Sequence, residues 1–224
     1  MGEDTESYKK QLVDEVESTI VKIEKLFKEK PSSFFNEYCI VDEFSRIFKN
    51  SADFEQKDMN GKPISLITRE YATPFKCSMK KLNFEVKPED SDYIRGKYDI
   101  VLLNPEFVEK NDYFTIRNQD YRIFKKNVKL NMKNQPKPIV LYGLEFMFLR
   151  DQIGIAEPNY FNKTADDIIR GVLQDADKLK AGKDIAGFME NTKMLFYVNN
   201  NLPETNRYIE EKLKNRDDIK AIIA

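Results

Sequence analysis

The sequence predicts a mixed α/β protein in which helices flank a central sheet. Three observations favour this class. Apolar residues follow helical spacing up to about residue 49, short apolar segments broken by Pro, Asp and Asn begin near residue 64, and helical spacing returns at Thr164. The 224 residues suffice for one domain with a sizeable core, and we find no linker or internal repeat. We therefore expect a single domain over residues 1–224.

The first predicted helix covers residues 7–29 and precedes the core. Its apolar residues recur at steps of four, four, three and four, as one face of a helix requires, at Leu12, Val16, Ile20, Ile23 and Phe27. We expect this stripe to pack on its own domain, and the alternative is the seam of a homodimer. Pro31 breaks the helix, and residues 31–33 are expected to cap a second helix over residues 34–49.

The remaining elements follow from changes of apolar pattern along the chain. We predict strands over residues 66–73, 82–86, 98–104, 127–132 and 139–149, a helix over 164–180, a strand over 194–199 and a helix over 203–216. Thr164 and Asp167 stand in capping-box positions, and Pro203 suits the first turn of a helix.

Composition excludes several kinds of chemistry. The chain has no histidine and two cysteines, which removes histidine-dependent triads, histidine metal sites and zinc sites. Lys and Arg number 37 against 38 Asp and Glu, so the chain as a whole is nearly neutral. No apolar run approaches 18 residues and the first eight residues are acidic, so we expect no membrane span or signal peptide and a cytoplasmic location.

Three carboxylates occupy positions where the pattern predicts apolar residues. Glu37 projects from the apolar face of the second helix, Asp99 begins the apolar run 99–103, and Glu145 is the only charged residue in 139–149. A buried carboxylate must pair, take up a proton or bind a cation. A salt bridge with Arg69 is the alternative for Glu37. If the three converge at one end of the sheet, they could bind a hard cation such as Mg²⁺.

The order of these elements resembles the PD-(D/E)XK nuclease superfamily, which has the restriction-endonuclease-like fold. The resemblance covers about residues 34–199 and includes the segments 68–74, 96–102 and 174–179. It implies a restriction-endonuclease-like mixed sheet, to which the 7–29 helix is an N-terminal addition. It also implies a DNA phosphodiesterase dependent on Mg²⁺, with Mn²⁺ as a substitute, in which Asp99 and Glu145 bind the metal ion and Glu37 assists through water.

One position departs from that family's pattern. The family has a lysine two residues after the Glu, and here the residue is Met147, which cannot support charge at a phosphate. Lys97, Lys129 and Lys180 are candidate replacements, and Lys97 ranks first because it lies two residues from Asp99 on the same strand face. For each, the alternative is a solvated lysine. The alternative function is a non-catalytic relative that binds nucleic acid or a protein partner.

A basic segment covers residues 117–137. It contains seven basic residues and one acidic residue, Asp120, which gives a net charge of +6. We predict DNA binding by Arg117, Arg122, Lys125, Lys126, Lys129 and Lys133. The aromatic residues Tyr121 and Phe124 are interleaved with them, as in some nucleic-acid surfaces. The alternative is a solvated basic loop.

Overall fold

The computed structural model describes residues 2–51, 54–77, 94–117, 126, 137–149, 154–155, 163–185 and 187–224. The elements in chain order are α1 (Gly2–Glu29), a 3₁₀ turn (Pro31–Ser33), α2 (Glu37–Ser51), β1 (Glu55–Lys57), β2 (Pro63–Ser65), β3 (Ile67–Cys77), β4 (Ile94–Leu103), α3 (Pro105–Glu109), α4 (Tyr113–Ile116), β5 (Val140–Leu149), α5 (Ala165–Asp184), β6 (Met189–Val198), α6 (Pro203–Leu213) and β7 (Ile219–Ile223). The mixed α/β class is confirmed. The predicted strands 82–86 and 127–132 lie outside the described residues.

The main sheet has five described strands in the order β3-β4-β5-β6-β7, and β1 pairs with β2 in a separate ribbon. The strands β3, β4 and β5 are antiparallel, whereas β5, β6 and β7 are parallel. Parallel neighbours need a crossover connection, and α5 and α6 stand between β5, β6 and β7 in the chain. The sheet therefore changes from antiparallel to parallel pairing at β5.

Helices cover both faces of the sheet. The residues of β5 show which helix lies on which face, because alternate residues of a strand point to opposite sides. The even-numbered Phe146 packs on Phe44 of α2, with ring centroids 5.7 Å apart. On the other side, a Cβ atom at the odd-numbered Gly143 would lie 3.3 Å from the Leu179 side chain of α5. The odd-numbered Glu145 and Met147 therefore face α5, and α2 lies on the opposite face.

The apolar stripe of α1 is buried within the chain. Its five residues, Leu12, Val16, Ile20, Ile23 and Phe27, are each at most 1% exposed. Phe27 packs on Phe148 of β5 and Tyr197 of β6, with ring centroids 6.0 and 5.1 Å apart. The expectation that α1 packs on its own domain is confirmed, and the stripe is not available as a dimer seam. Within the described ranges, no helix has both the length and the apolar character needed to cross a bilayer.

The start of α2 differs from the prediction. The helix begins at Glu37 rather than Phe34, and its cap is Asn36, whose Oδ1 accepts the Cys39 backbone N–H at 3.0 Å. The buried Phe34 packs on Phe27 from the segment before the helix, and Tyr38, in the first turn, is 64% exposed. Glu37 therefore occupies the first turn of α2.

Candidate functional site

The strands β4 and β5 separate beside Asp99. Their backbone pairing extends from Leu103 opposite Val140 to Ile100 opposite Leu144, although β4 begins at Ile94 and β5 continues to Leu149. Immediately beyond the last pair, the Phe146 N–H donates to Asp99 Oδ2 at 2.7 Å. A side-chain carboxylate thus satisfies a strand N–H at the point where the two strands part. This hydrogen bond fixes Asp99 at the opening.

Glu145 lies in the same opening and pairs with a lysine of α5. Lys178 Nζ is 2.7 Å from Glu145 Oε1 and 3.0 Å from Asp175 Oδ1. The side chains of Glu145 and Lys178 are 3% and 10% exposed. Asp99 and Glu145 are close enough for each carboxyl group to influence the pKa of the other. Two carboxylates predicted from sequence therefore meet, and Lys178 and Asp175 complete a buried charged cluster with them.

Glu37 approaches this cluster from the N-terminus of α2. Burial, assisted by the neighbouring charges of Asp99 and Asp175 and opposed by Lys178, raises the pKa of Glu37 to about 7. Because Asp99, Asp175 and Lys178 all act on it, Glu37 lies within electrostatic range of the cluster. The salt bridge to Arg69 considered above is not formed, since Arg69 pairs with Asp42.

Burial also controls the ionisation of the other cluster members. It raises the pKa of Asp99, although the hydrogen bond from Phe146 works in the opposite direction. It raises the pKa of Glu145 well above its usual range, with Lys178 again opposing. Burial by itself would lower the pKa of Lys178, but the charges of Glu145 and Asp175 raise it overall. Lys178 is therefore a permanently charged ammonium group among acids that are costly to ionise.

The lysine predicted from sequence is not the one at the carboxylates. Lys97 is 58% exposed and pairs with Glu70 at 3.1 Å, at the rim of the opening. Lys180 is exposed, and Lys129 lies outside the described residues. Sequence reasoning ranked Lys97 first because it took strand alternation from Asp99 as the guide, and on α5 it considered Lys180 rather than Lys178.

A signal for Lys178 is present in the spacing of α5. Gly171, Asp175, Lys178 and Gly182 follow one another at steps of four, three and four, which places them on one stripe of the helix. A Cβ atom at Gly171 would lie 3.1 Å from Met147 Cε, and one at Gly182 would lie 2.3 Å from Tyr98 Oη. The glycines thus let α5 approach β4 and β5 closely. An Asp and a Lys between two such glycines indicate charges directed at the sheet.

Glu70 adds a strained backbone position at the rim. Its φ is 53°, in the left-handed region that residues other than glycine rarely adopt. Its charge contributes to the raised pKa of Glu37. Strained residues are concentrated at functional sites, where the surrounding structure maintains them. The distortion lies on β3, beside the opening that Asp99 occupies on β4.

The donor chemistry of the cluster fits a hard divalent cation. All three predicted ligands are carboxylates, and burial raises the pKa of each, so a bound cation would offset the cost of ionising them. In the described part of the chain, no group of three or more acidic, histidine or cysteine residues is arranged to hold a metal ion. Mg²⁺ needs only one or two carboxylates and keeps several waters, so Asp99 and Glu145 satisfy that lower requirement.

The structure shows only part of the predicted DNA-binding segment. Arg117 and Lys126 are exposed. Lys137, at the end of the segment, pairs with Glu106 at 2.6 Å. The other predicted residues, Arg122, Lys125, Lys129 and Lys133, lie outside the described residues.

Comparison with known proteins gives no significant match. No protein-family model matches the chain, no curated protein matches it, and no solved structure matches it. What the chain does is therefore inferred from its own residues and their geometry.

Proposed function

We propose that this protein is an Mg²⁺-dependent nuclease that hydrolyses DNA phosphodiester bonds. Lys178 would take the role of the family's lysine, whose position is occupied here by Met147. The observation that carries the proposal is the buried cluster of Asp99, Glu145 and Lys178 at the separation of β4 and β5, with Glu37 in electrostatic range. Support also comes from the order of α2 with Glu37, β4 with Asp99, β5 with Glu145, α5 and β6, which is the order on which the resemblance rests, although α3 and α4 stand between β4 and β5.

Each member of the cluster has a role that follows from its position. Asp99 and Glu145 would hold the cation directly, and Glu37 would hold one of its waters. When bound, the cation supplies Lewis-acid stabilisation of the phosphate oxygens. Lys178 is charged and preorganised by Glu145 and Asp175, so it can stabilise negative charge developing on a phosphate at the opening. Glu37, with a pKa of about 7, can accept a proton from water near neutral pH.

Nicking of supercoiled plasmid in Mg²⁺ or Mn²⁺ tests the proposal. We expect Glu145→Gln to abolish nicking and Lys178→Met to reduce its rate about 10²- to 10³-fold, because a preorganised charge-stabilising group is lost. Lys180→Met is the matched control on the same helix, and Lys97→Met tests the lysine favoured by sequence. Circular dichroism checks that each variant is folded. Equal rates for Lys178→Met and Lys180→Met would contradict the role of Lys178.

The second candidate function is a non-catalytic protein that binds nucleic acid or a protein partner. The observation that favours it is Met147, whose side chain approaches Gly171 in the place expected for the missing lysine. A folded wild type that binds DNA but does not nick it with either metal ion would support this function. Mg²⁺ titration by calorimetry adds an independent measurement, since equal Mg²⁺ affinity in wild type and Asp99→Ala would contradict the metal assignment.

A further inference from the structure

A second surface is formed where the turn between β1 and β2 meets α4. The Met59 backbone N–H donates to the Asn111 carbonyl at 3.2 Å, which joins the turn to the start of α4. Met59 is 60% exposed and Phe114 is 73% exposed, the highest value among the exposed large apolar side chains of the described residues. We call this surface the α4 patch; it comprises Met59, Lys62, Tyr113, Phe114 and Arg117.

The α4 patch combines aromatic rings with cations. Lys62 Nζ lies 3.7 Å from the centroid of the Tyr113 ring, and Arg117 Cζ lies 6.0 Å from the same centroid. The Phe114 ring is next to that of Tyr113, at a centroid distance of 5.9 Å, and is turned 76° to it. Phe114 therefore presents an exposed ring next to Tyr113, whose own ring is approached by two cations.

The acids near the α4 patch are used in local backbone contacts. Asp58 Oδ1 accepts the N–H groups of Asn60 and Lys62 at 2.9 and 2.8 Å, and Asp112 Oδ1 accepts the Thr115 N–H at 2.9 Å. Among the residues that the structure describes, neither Lys62 nor Arg117 has an ion-pair partner. The sequence continues from Arg117 into the segment with net charge +6. Lys62 and Arg117 therefore keep cationic groups that are not used in an ion pair within the described residues, and such groups suit the phosphates of a polyanion.

We propose that the α4 patch binds an unpaired DNA strand, with a base stacked on Phe114 and the backbone phosphates beside Lys62 and Arg117. An exposed ring can stack on a base only when the base is not already stacked in a duplex, and stacking with nearby cations is how single strands are bound. The inference names the form of DNA that the nuclease holds, so it rests on the proposed function.

A hydrogen bond connects the α4 patch to the candidate site. Tyr71 Oη donates to the Ile116 carbonyl at the end of α4, over 3.1 Å. Tyr71 is next to Glu70, the strained residue at the rim of the opening. A strand held on the α4 patch is thus bound by an element attached to the rim.

Fluorescence anisotropy in EDTA tests the inference without cleavage. The probe is a labelled oligothymidine of about 20 nucleotides, longer than the site of a single-strand-binding module, and a hairpin duplex is the comparison. We expect Phe114→Leu to weaken oligothymidine binding about 5- to 150-fold and Phe114→Tyr to keep it, because only an aromatic face stacks on a base. Replacing Lys62 or Arg117 by methionine should reduce the slope of log affinity against log salt concentration by about 0.7 for each residue replaced.

Two controls and two outcomes complete the test. Val21→Ala changes an exposed apolar residue of α1, and Lys25→Met removes an exposed charge there; both should bind as the wild type does. Oligothymidine binding that is absent in the wild type, or unchanged in Phe114→Leu, would overturn the inference. A wild type that binds oligothymidine but fails to nick plasmid contradicts the nuclease alone, whereas one that nicks plasmid but does not bind oligothymidine contradicts the α4 patch alone.

Discussion

Replacing Lys178 by methionine should make the stability of the protein strongly dependent on pH. The ammonium group is the positive partner of Glu145 and Asp175 at 2.7 and 3.0 Å, in a place where Glu145 is 2% exposed. Removing one partner of a buried ion pair costs about 3–5 kcal/mol when the other partner stays charged. Glu145 avoids this cost by taking up a proton, which is easy in acid and progressively harder at higher pH.

Proton linkage determines whether the stability of Lys178→Met rises or falls with pH. In Lys178→Met the pKa of folded Glu145 rises further above its ordinary value of 4.5, because its cation is gone. The pKa of Glu145 is already raised in the wild type, so the variant begins to lose additional stability above that wild-type pKa, where only its folded state keeps the proton, by about 1.4 kcal/mol per pH unit. We expect a small loss near pH 5 and a loss of about 3–5 kcal/mol at high pH.

Urea unfolding followed by circular dichroism in EDTA, at several pH values, measures this loss. Lys180→Met, two residues along the same helix, should change stability by less than about 0.5 kcal/mol. The double variant Lys178→Met with Glu145→Gln should recover most of the loss at high pH, since a neutral amide needs no cation. A loss that is the same at every pH, or a double variant no more stable than Lys178→Met, would refute the reasoning.

Three further predictions concern Glu37, Gly182 and Met147. Glu37→Gln should raise the free energy of unfolding above pH 7 by about 1–2 kcal/mol, after allowance for partial exposure. The reason is that the pKa of Glu37 is raised from 4.5 to about 7, so the wild type loses stability as pH rises through this range. Urea unfolding at several pH values measures the change, and Glu43→Gln on the same helix should not raise the free energy of unfolding. Gly182→Ala should cost about 1–3 kcal/mol in thermal melting, because its Cβ would lie 2.3 Å from Tyr98 Oη, and Tyr98→Phe in that background should regain part of the loss. In a Lys178→Met background, Met147→Lys should recover part of the roughly 10²-fold loss of plasmid nicking, because residue 147 faces α5 on the same side of β5 as Glu145; nicking no faster than in Lys178→Met alone, from a folded double variant, would count against a transferable lysine.

Most elements of the sheet could be predicted, because their apolar runs are long enough to show a period. The strand predicted over 139–149 corresponds to β5, and the capping box at Thr164 starts α5 as expected. The strands β1, β2 and β7 were missed. β1 and β2 have three residues each, and β7 has five residues with Lys220 among them. Segments this short show no alternation, and their pairing partners decide their structure.

The acids of the candidate site could be chosen from the sequence, whereas Lys178 was not among the lysines considered. Asp99 and Glu145 conflict with the apolar runs around them, and such a conflict can be detected in a single sequence. Lys178 shows no such conflict, because a lysine at the edge of an amphipathic helix is the ordinary pattern of a solvated residue, and its place between Gly171 and Gly182 is the one signal that sets it apart. Its burial depends on how closely α5 approaches β5, and this distance is set by contacts between residues far apart in the chain.

The packing of α1 determines when this helix can fold onto the sheet during synthesis of the chain. Its stripe is buried against β5 and β6, and Lys220 of β7 pairs with Glu24 of α1. A ribosome adds about 5–20 residues per second, so β7 emerges roughly 10–40 s after α1. Until β5 and β6 have been translated, the stripe has no sheet on which to pack, and contacts this distant in sequence form slowly. We therefore expect the apolar stripe of α1 to stay exposed on the nascent chain until β5 and β6 have been translated.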